Sequence, residues 1–317
     1  KIRRSRLCSH AIAIIPLLIN TFTAKYTSAL MIPLSAANPA VSLNGITVPR
    51  VSDGKQINLG KALEETGDVE GGDRRNKKVM LILGGYPGDF NTVEYAQKVR
   101  YFLPQLREKG IDRIMMVING EPSSCSHLAE LLDLPVGDES IIELFSDPTG
   151  EAGRRFGVSR GFRPDAGIPS QLKLFCMGIG IGPPWNTLPA VLTGYFGDPN
   201  GKRDWIEASL KQGQLAGRWP PVLELNDQND ILKNAFDDTP LVGSSWGRRP
   251  FELATLRLQN LIGIQMKHAD RLKHVDERCL TQLGGCTVVG SGGDVLYSWI
   301  DQGLCDVPDM EQLLEAI

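Results

Sequence analysis

Cysteine is scarce in this sequence. The 317 residues include six Cys, and no two of them are spaced as Cys-x-x-Cys. Six in a chain of this length are too few for a scaffold held together by disulfides. The chain also lacks the compositional bias of collagen, coiled coils and disordered proteins, since 42% of it is hydrophobic and 22% charged. These values indicate a globular protein of one generous domain or two small ones.

Net charge is small, at −3, and unevenly distributed. Residues 1–29 hold five basic side chains and no acidic one. Residues 30–317 contain 29 Lys and Arg and 37 Asp and Glu, a net charge of −8. A chain segment with this excess of negative charge binds nucleic acid poorly, so we expect no nucleic-acid partner.

No long uninterrupted apolar run is present. Residues 11–22 form a twelve-residue apolar run that follows a basic segment and is broken by Pro16 and Asn20. That run is too short to span a bilayer comfortably but suits the core of a signal peptide. We interpret residues 1–29 as a signal peptide or presequence, and expect no transmembrane segment in the mature chain.

The next segment points to a compartment. Residues 28–33 (SALMIP) resemble the cleavage motif of bipartite plastid presequences, with Leu30 where that motif favours Phe. Residues 34–52 contain no acidic side chain and carry Ser and Thr, as a short transit peptide does. We interpret residues 30–45 as a transit segment or linker. The prediction is a plastid (chloroplast) protein after presequence removal, with plain secretion as the alternative.

Strand and helix patterns alternate between residues 46 and 160. An Asp53-Gly54 turn predicts a hairpin, and two five-residue apolar runs, 79–83 and 114–118, predict buried strands. Helical spacing follows each run, and a further strand and a short helix complete βαβαβα. The predicted ranges are helix 92–109, helix 124–132, strand 141–145 and helix 151–156. Such alternation favours a largely parallel sheet with helices on its faces.

The C-terminal part of the chain has a different pattern, with a hairpin in place of alternating strands and helices. Residues 287–297 read as a hairpin, and residues 309–317 as a helix. A βαβαβα unit followed by ββα is the thioredoxin plan, an α/β fold. The predicted domain is therefore split into residues 46–160 and 281–317, with an insertion at 161–280. We expect the insertion to be mainly helical, because residues 251–274 have a clear helical pattern.

The segment after the first central strand carries a family resemblance. Residues 86–94 read YPGDFNTVE, and peroxiredoxins have Tyr-Pro-x-Asp-Phe-Thr-x-x-Cys in this place. Tyr86, Pro87, Asp89 and Phe90 match, whereas Asn91 replaces the Thr. The resemblance implies that Glu94 occupies the position of the peroxidatic Cys, where a helix N-terminus lowers the pKa of the thiol.

Glu94 changes the chemistry that this position can perform. A carboxylate suits a helix N-terminus but cannot be oxidised to a sulfenic acid, so the usual peroxidase reaction is excluded there. The alternative is a purely structural role, in which Asn91 is the N-cap and Glu94, three residues on, approximates a capping box.

Longer motifs narrow the resemblance to peroxiredoxin-like, AhpC/TSA-type proteins of cyanobacteria and plastids. They lie at residues 88–96, 178–180, 194–198, 249–260 and 280–285. This likeness implies the fold and the compartment rather than a substrate. Residues 281–286 contain no Pro, so the cis-Pro that faces the active site in thioredoxin-fold enzymes is missing.

Two sets of thiols are candidates for redox chemistry. Cys125 lies near the start of a predicted helix, with His127 two residues on, and is the candidate catalytic thiol. Cys279, Cys286 and Cys305 form the second set, in which Cys286 and Cys305 are a candidate regulatory disulfide. The alternative for both sets is that they are structural thiols, packed as small hydrophobic side chains.

No cofactor or metal site emerges. Residues 178–184 (GIGIGPP) lack both the Lys-Ser/Thr of a P-loop and the GxGxxG spacing. His268 and His274 are six apart, which gives no common helix face for a metal. The sequence thus predicts a non-peroxidase binding or assembly module with a protein partner in the plastid. A thiol-disulfide oxidoreductase that uses Cys125, or Cys279, Cys286 and Cys305, is the alternative.

Overall fold

The compact unit runs from Asn38 to Ile317. The computed structural model describes residues 38–64, 77–137, 140–180, 260–291 and 293–317, with short pieces between 187 and 234. The predicted presequence lies outside the described residues. Residues 38–45, at the end of the predicted transit segment or linker, form a short helix and turn in which Leu43 is fully buried.

The elements before the central sheet are short. Helix α1 (Pro39–Ser42) is followed by the antiparallel pair β1 (Thr47–Pro49) and β2 (Gln56–Asn58), and then by α2 (Leu59–Glu64). The β1–β2 pair confirms the predicted hairpin at Asp53-Gly54, where Gly54 has a φ of 71°.

A five-stranded mixed sheet forms the centre. The strands are β3 (Lys78–Leu83), β4 (Ile111–Ile118), β5 (Ile142–Ser146), β8 (Gly285–Gly290) and β9 (Val295–Ile300), in the spatial order β5-β4-β3-β8-β9. The first three are parallel, and β8 is antiparallel to both β3 and β9. Two further short strands, β6 (Leu223–Leu225) and β7 (Ile231–Asn234), pair with each other.

Helices cover the sheet and extend from it. They are α3 (Phe90–Glu108), α4 (Pro122–Leu131), α5 (Glu151–Phe156), α6 (Ser170–Gly178), α7 (residues 260–268) and α8 (Met310–Ala316), with a 3₁₀ turn at Glu277–Cys279. None of the helices in the described part of the chain combines the length and hydropathy needed to cross a membrane.

The apolar run of β3 explains its central position. Alternate side chains of a strand point to opposite faces, so Met80 and Ile82 join a core cluster with α3, α4 and α8, while Leu81 and Leu83 join a second one with α1 and α2. Both faces are therefore buried, as the uninterrupted run predicts. These features confirm an α/β, thioredoxin-like fold of βαβαβα followed by ββα.

Helix α7 ends earlier than its sequence pattern predicts. The pattern extends to His274, but the helix stops at His268 and residues 269–272 turn. The carbonyl of Leu272 accepts a hydrogen bond from the Gly88 amide at 3.0 Å instead of continuing the helix. Leu261 and Ile264 are fully buried in the core, as expected for a helix packed on the sheet.

Candidate functional site

The site suggested by the sequence lies where β3 ends and α3 begins. Asp89 is the N-cap of α3, with extended φ and ψ, and its carboxylate accepts hydrogen bonds from the Thr92 amide at 3.0 Å and the Thr92 hydroxyl at 3.2 Å. The prediction of Asn91 as N-cap is therefore wrong. Asp89 is the better placed residue because the helix starts at Phe90, two residues before the predicted start.

Asp89 is a carboxylate in a dry environment. It is 5% exposed, and burial raises its pKa to about 6, although the amide and hydroxyl of Thr92 oppose that rise. Gly85 makes room for it, since a Cβ at Gly85 would lie 2.9 Å from the Asp89 carboxyl group. The neighbouring backbone thus approaches the carboxyl as closely as only glycine allows.

Residues of the insertion cover the loop that leads into α3. The side-chain amide of Gln265 on α7 donates to the Gly88 carbonyl at 2.6 Å and to the Tyr86 hydroxyl at 2.9 Å. The ring of His274 packs edge-on against Tyr86, with centroids 5.7 Å apart. Residues 84–89 are all buried, so a substrate has no open approach to this helix end from the described surface.

Glu94 does not close a capping box. Its side chain is buried and forms an ion pair with Lys98, one turn further along α3, with Nζ and Oε1 3.0 Å apart. Both charges are inside the protein, where an unpaired partner is strongly destabilising. The negative charge of Glu94 is therefore balanced by Lys98 of the same helix.

Three successive turns of α3 present polar groups to one segment. The segment 301–308, which follows β9, lies against Asn91, Tyr95 and Lys98, whose spacing places them on a common helix face. The side-chain amide of Asn91 donates to Asp301 at 2.7 Å and to the Gly303 carbonyl at 2.9 Å, and its Oδ1 accepts from the backbone amide of Cys305 at 2.7 Å. The Tyr95 hydroxyl donates to the other oxygen of Asp301 at 2.7 Å.

Lys98 anchors the far end of the 301–308 segment. Its ammonium donates to the carbonyls of Val307 at 3.3 Å and Pro308 at 3.0 Å, and lies 4.8 Å from the ring centroid of Trp205. An ammonium above a ring face is attracted by the π electrons. Lys98 therefore ties α3, the C-terminal segment and the insertion together.

Asp301 and Asp306 are the acids of the 301–308 segment. Asp301 is completely buried, and burial, followed by the nearby charge of Asp306, raises its pKa well above the ordinary value. Burial also raises the pKa of Asp306 to about 6, although its carboxylate accepts from the Gln302 amide at 2.6 Å. The arrangement favours protonated carboxyl groups beside α3.

The Cys125 thiol is in a poor environment for redox chemistry. Cys125 is fully buried in the first turns of α4, with its sulfur 3.8 Å from the Gly120 carbonyl. Burial raises the pKa of the thiol to about 12, and the charge of Glu121 adds to the effect. A reactive thiolate requires the opposite shift. The expected helper, His127, contacts His268 instead, with the two ring nitrogens 3.2 Å apart.

The other candidate thiols are also buried. Burial raises the pKa of Cys279 to about 11 and that of Cys286 further. Cys286 and Cys305, the candidate disulfide pair, are not joined by a disulfide in this structure. Their pairing stays a prediction for oxidising conditions.

The described residues do not bring a set of metal-ligating side chains together. No three His, Cys, Asp or Glu side chains within them are grouped as metal ligands. His274 pairs with Glu277 at 3.0 Å and lies apart from the contact between His268 and His127. Most of residues 178–184 and the motif at 194–198 lie outside the described residues.

Asn91, Tyr95, Lys98, Asp301 and Asp306 form a polar network between α3 and the 301–308 segment. Of these residues, sequence reasoning missed all but Asn91. Tyr95 and Lys98 follow Asn91 by four and seven residues, a helical spacing that was available as a signal. Asp301 had no such signal, because its contacts with Asn91 and Tyr95 join residues more than two hundred positions apart. Asp306 had none either, because the hydrogen bond that its side chain accepts is local, from the backbone amide of Gln302, and does not indicate its position near Lys98.

This sheet order, with a helix starting from the end of the central strand, defines a thioredoxin-like α/β protein. Residues 99–303 match the family model described as AhpC/TSA antioxidant enzyme, which covers more than half of the chain. The chain therefore belongs to the AhpC/TSA family. No curated protein and no solved structure matches it. The family match begins after residues 86–94, so the equivalence of Glu94 with the peroxidatic position stays a prediction.

Proposed function

We propose that this protein is a redox-inert member of its family that acts as a binding or assembly module. The observation that carries the proposal is Glu94, at the position where the sequence resemblance places the nucleophile. This acid is buried and paired with Lys98. An ion pair inside the helix supplies stability but no oxidisable group.

The surroundings of the helix start support the same proposal. The loop at residues 84–89 is buried beneath α7 and the turn after it, and the 301–308 segment covers the neighbouring face of α3. A thiol peroxidase needs a thiolate that peroxide can reach. Here the polar groups of the site are used in holding three parts of the chain together.

Peroxide and disulfide turnover tests the proposal directly. The full chain is assayed with hydrogen peroxide or a disulfide substrate and a thioredoxin system as reductant, beside a Cys125→Ser variant and an active peroxiredoxin as positive control. We expect turnover no faster than the background without protein for both forms. Turnover that disappears in Cys125→Ser would overturn the proposal.

The binding partner is proposed to be a protein of the plastid. The support is the sequence of residues 1–45, whose basic start, short apolar run and acid-free continuation have the form of a plastid presequence. A full-length fusion to a fluorescent protein is expected to enter plastids, and affinity purification from isolated plastids to recover a stoichiometric partner. Secretion of the fusion would contradict the plastid assignment without affecting the redox-inert assignment.

A further inference from the structure

A surface cavity of about 610 Å³, wide open to solvent, lies beside the start of α6. Its wall is formed by the loop at residues 164–169, the first turn of α6, and Glu277 and Arg278 from the 3₁₀ turn. That volume lies in the range of small-molecule sites. None of its lining residues belongs to the polar network around α3.

One wall of the cavity is apolar. Four of its lining residues have hydrocarbon side chains: Pro164, Ala166, Ile168 and Pro169. Ile168 is half-buried, so part of its surface remains available to a ligand. Such a wall favours a ligand with an apolar portion, because covering it removes hydrocarbon from water.

Lys173 is a buried cation in the wall of the cavity. Its side chain is 3% exposed, and Nζ donates to the Pro164 carbonyl at 3.0 Å. An ammonium has three N–H donors, so two are left over. Lys173 forms no ion pair within the described residues. A buried ammonium with a single acceptor is unfavourable, and an anion beside it would stabilise it.

The acids near Lys173 are already engaged with other bases. Asp165 pairs with Arg160 at 2.6 Å, a hydrogen bond that lowers the pKa of Asp165. Glu277 pairs with His274 at 3.0 Å, and accepts the Ser170 hydroxyl at 3.3 Å through its other oxygen. Each acid interacts with Lys173 only through longer-range attraction.

Arg278 is likewise committed, because its guanidinium binds the Asp276 carboxylate through two nitrogens. Lys173 is thus the cation among the described lining residues that has no acidic partner of its own.

The helix start adds a second source of positive potential. The N-cap of the nine-residue helix α6 is Pro169, whose side chain makes no capping hydrogen bond. The first amides of a helix have no intrahelical acceptor, and the helix dipole favours an anion there. Ser170 opens the helix and lines the cavity together with Lys173. The uncapped helix start and the buried ammonium therefore face the same space.

We propose that this cavity binds a small organic anion with an apolar body, of the class of medium-chain carboxylates. The carboxylate lies at Nζ of Lys173 and the first turn of α6, and the hydrocarbon lies against Pro164, Ile168 and Pro169. The proposal is independent of redox inertness, since it shares no residue with the start of α3.

Isothermal titration calorimetry of the full chain with octanoate tests the proposal. We expect saturable 1:1 binding, at least tenfold weaker in Lys173→Met and unchanged within twofold in Lys61→Met, which removes an exposed lysine on α2. Octanamide, which has the same chain without the charge, and inorganic phosphate, which has charge without the chain, should both bind at least tenfold more weakly. Equal binding of octanoate by wild type and Lys173→Met would overturn the proposal, as would phosphate binding as tight as octanoate.

Ile168→Asp gives a second test that does not depend on removing a buried residue. The side chain is half-buried in a loop, so the variant is expected to keep the wild-type melting temperature within a few degrees. Placing an anion in the apolar wall should abolish octanoate binding, through repulsion and loss of apolar contact. Octanoate binding retained by folded Ile168→Asp would refute the placement of the ligand.

Discussion

The Tyr95 hydroxyl on α3 donates a 2.7 Å hydrogen bond to Asp301, a residue 206 positions further along the chain. Both residues are completely buried. Asn91, one turn earlier on α3, donates to the second oxygen of the same carboxyl group. The start of the long helix and the segment after the last strand are therefore joined at Asp301, and several testable consequences depend on this junction.

Removing the Tyr95 hydroxyl should destabilise the fold. Tyr95→Phe keeps the buried ring but leaves one oxygen of Asp301 without its donor, which is expected to lower the free energy of unfolding by about 1–3 kcal/mol. Urea unfolding followed by circular dichroism measures the change. Tyr297→Phe is the matched control, because it also removes a phenol hydroxyl, and that hydroxyl makes no hydrogen bond within the described residues. Equal stability of Tyr95→Phe and wild type would contradict the role of this bond.

Asp301 should make stability depend on pH in an unusual direction. Its pKa is raised well above 3.8 in the folded protein, so the folded state holds a proton that the unfolded state has released. The stabilisation is complete below about pH 4 and is lost as pH rises through the folded pKa, with a slope of up to ~1.4 kcal/mol per pH unit. Asp301→Asn should therefore reduce the fall in unfolding free energy between pH 4 and pH 7.

The control for Asp301→Asn is a carboxylate whose pKa is lowered on folding instead of raised. The hydrogen bond from Arg278 lowers the pKa of Asp276 to about 2, so Asp276→Asn should change the difference in unfolding free energy between pH 4 and pH 7 by only about 0.3 kcal/mol. Asp89 and Asp306, each with a pKa of about 6, contribute in the same direction as Asp301 and keep part of the slope. An unchanged slope in Asp301→Asn would show that this carboxyl is not held protonated.

Asp89 rather than Asn91 should behave as the N-cap of α3. Asp89→Ala removes the acceptor for the Thr92 amide and is expected to cost about 1 kcal/mol of unfolding free energy. Asp89→Asn should recover most of that loss, because Asn caps helices as well as Asp does. Denaturant titration of the three forms distinguishes them. If Asp89→Asn proved as unstable as Asp89→Ala, the negative charge and not the cap would be what matters.

Thiol labelling should follow burial. With a pKa of about 12, Cys125 has about one thiolate in 10⁴ molecules at pH 8. Iodoacetamide is expected to label half-buried Cys176 before Cys125 and Cys286 in the folded protein, and to label all three in urea. Peptide mass spectrometry reads out the sites. Labelling of Cys125 in the folded protein as fast as in urea would restore it as a redox candidate.

The same experiment tests the predicted Cys286–Cys305 disulfide. Samples are alkylated before and after treatment with a reductant. In urea, alkylation of both residues only after reduction, together with a Cys286–Cys305 linked peptide in the unreduced sample, would establish the bond, whereas full alkylation in urea without reductant would rule it out under those conditions.

Much of the fold was readable from local patterns. The uninterrupted apolar run of β3 predicts a strand buried on both faces, and its neighbours β4 and β5 follow from helices placed between similar runs. Gly290 and Asp294, joined across the last turn by a backbone hydrogen bond, belong to the hairpin that the sequence predicts. These features depend on spacing and turn chemistry within a few residues.

Positions that depend on distant partners were less accessible. Asn91 and Asp89 are both good N-cap residues by type, and the choice between them follows from contacts that the local pattern does not contain. Asn91 is drawn away by Asp301 and Cys305, which lie more than two hundred residues further along. The end of α7 was displaced in the same way, by the bond between Leu272 and Gly88.

The sequence by itself determined the scarcity and spacing of the thiols, the acid at position 94, the alternation of strands and helices, and the presequence pattern. Only the tertiary structure decided that Glu94 forms an ion pair with Lys98 and that Cys125 is buried in the core. It also decided that Asp301 and Lys173 are buried. The physical reason is the same in each case. A side chain's charge state and reactivity depend on its desolvation and its partners, and those are set by residues that meet only when the chain folds.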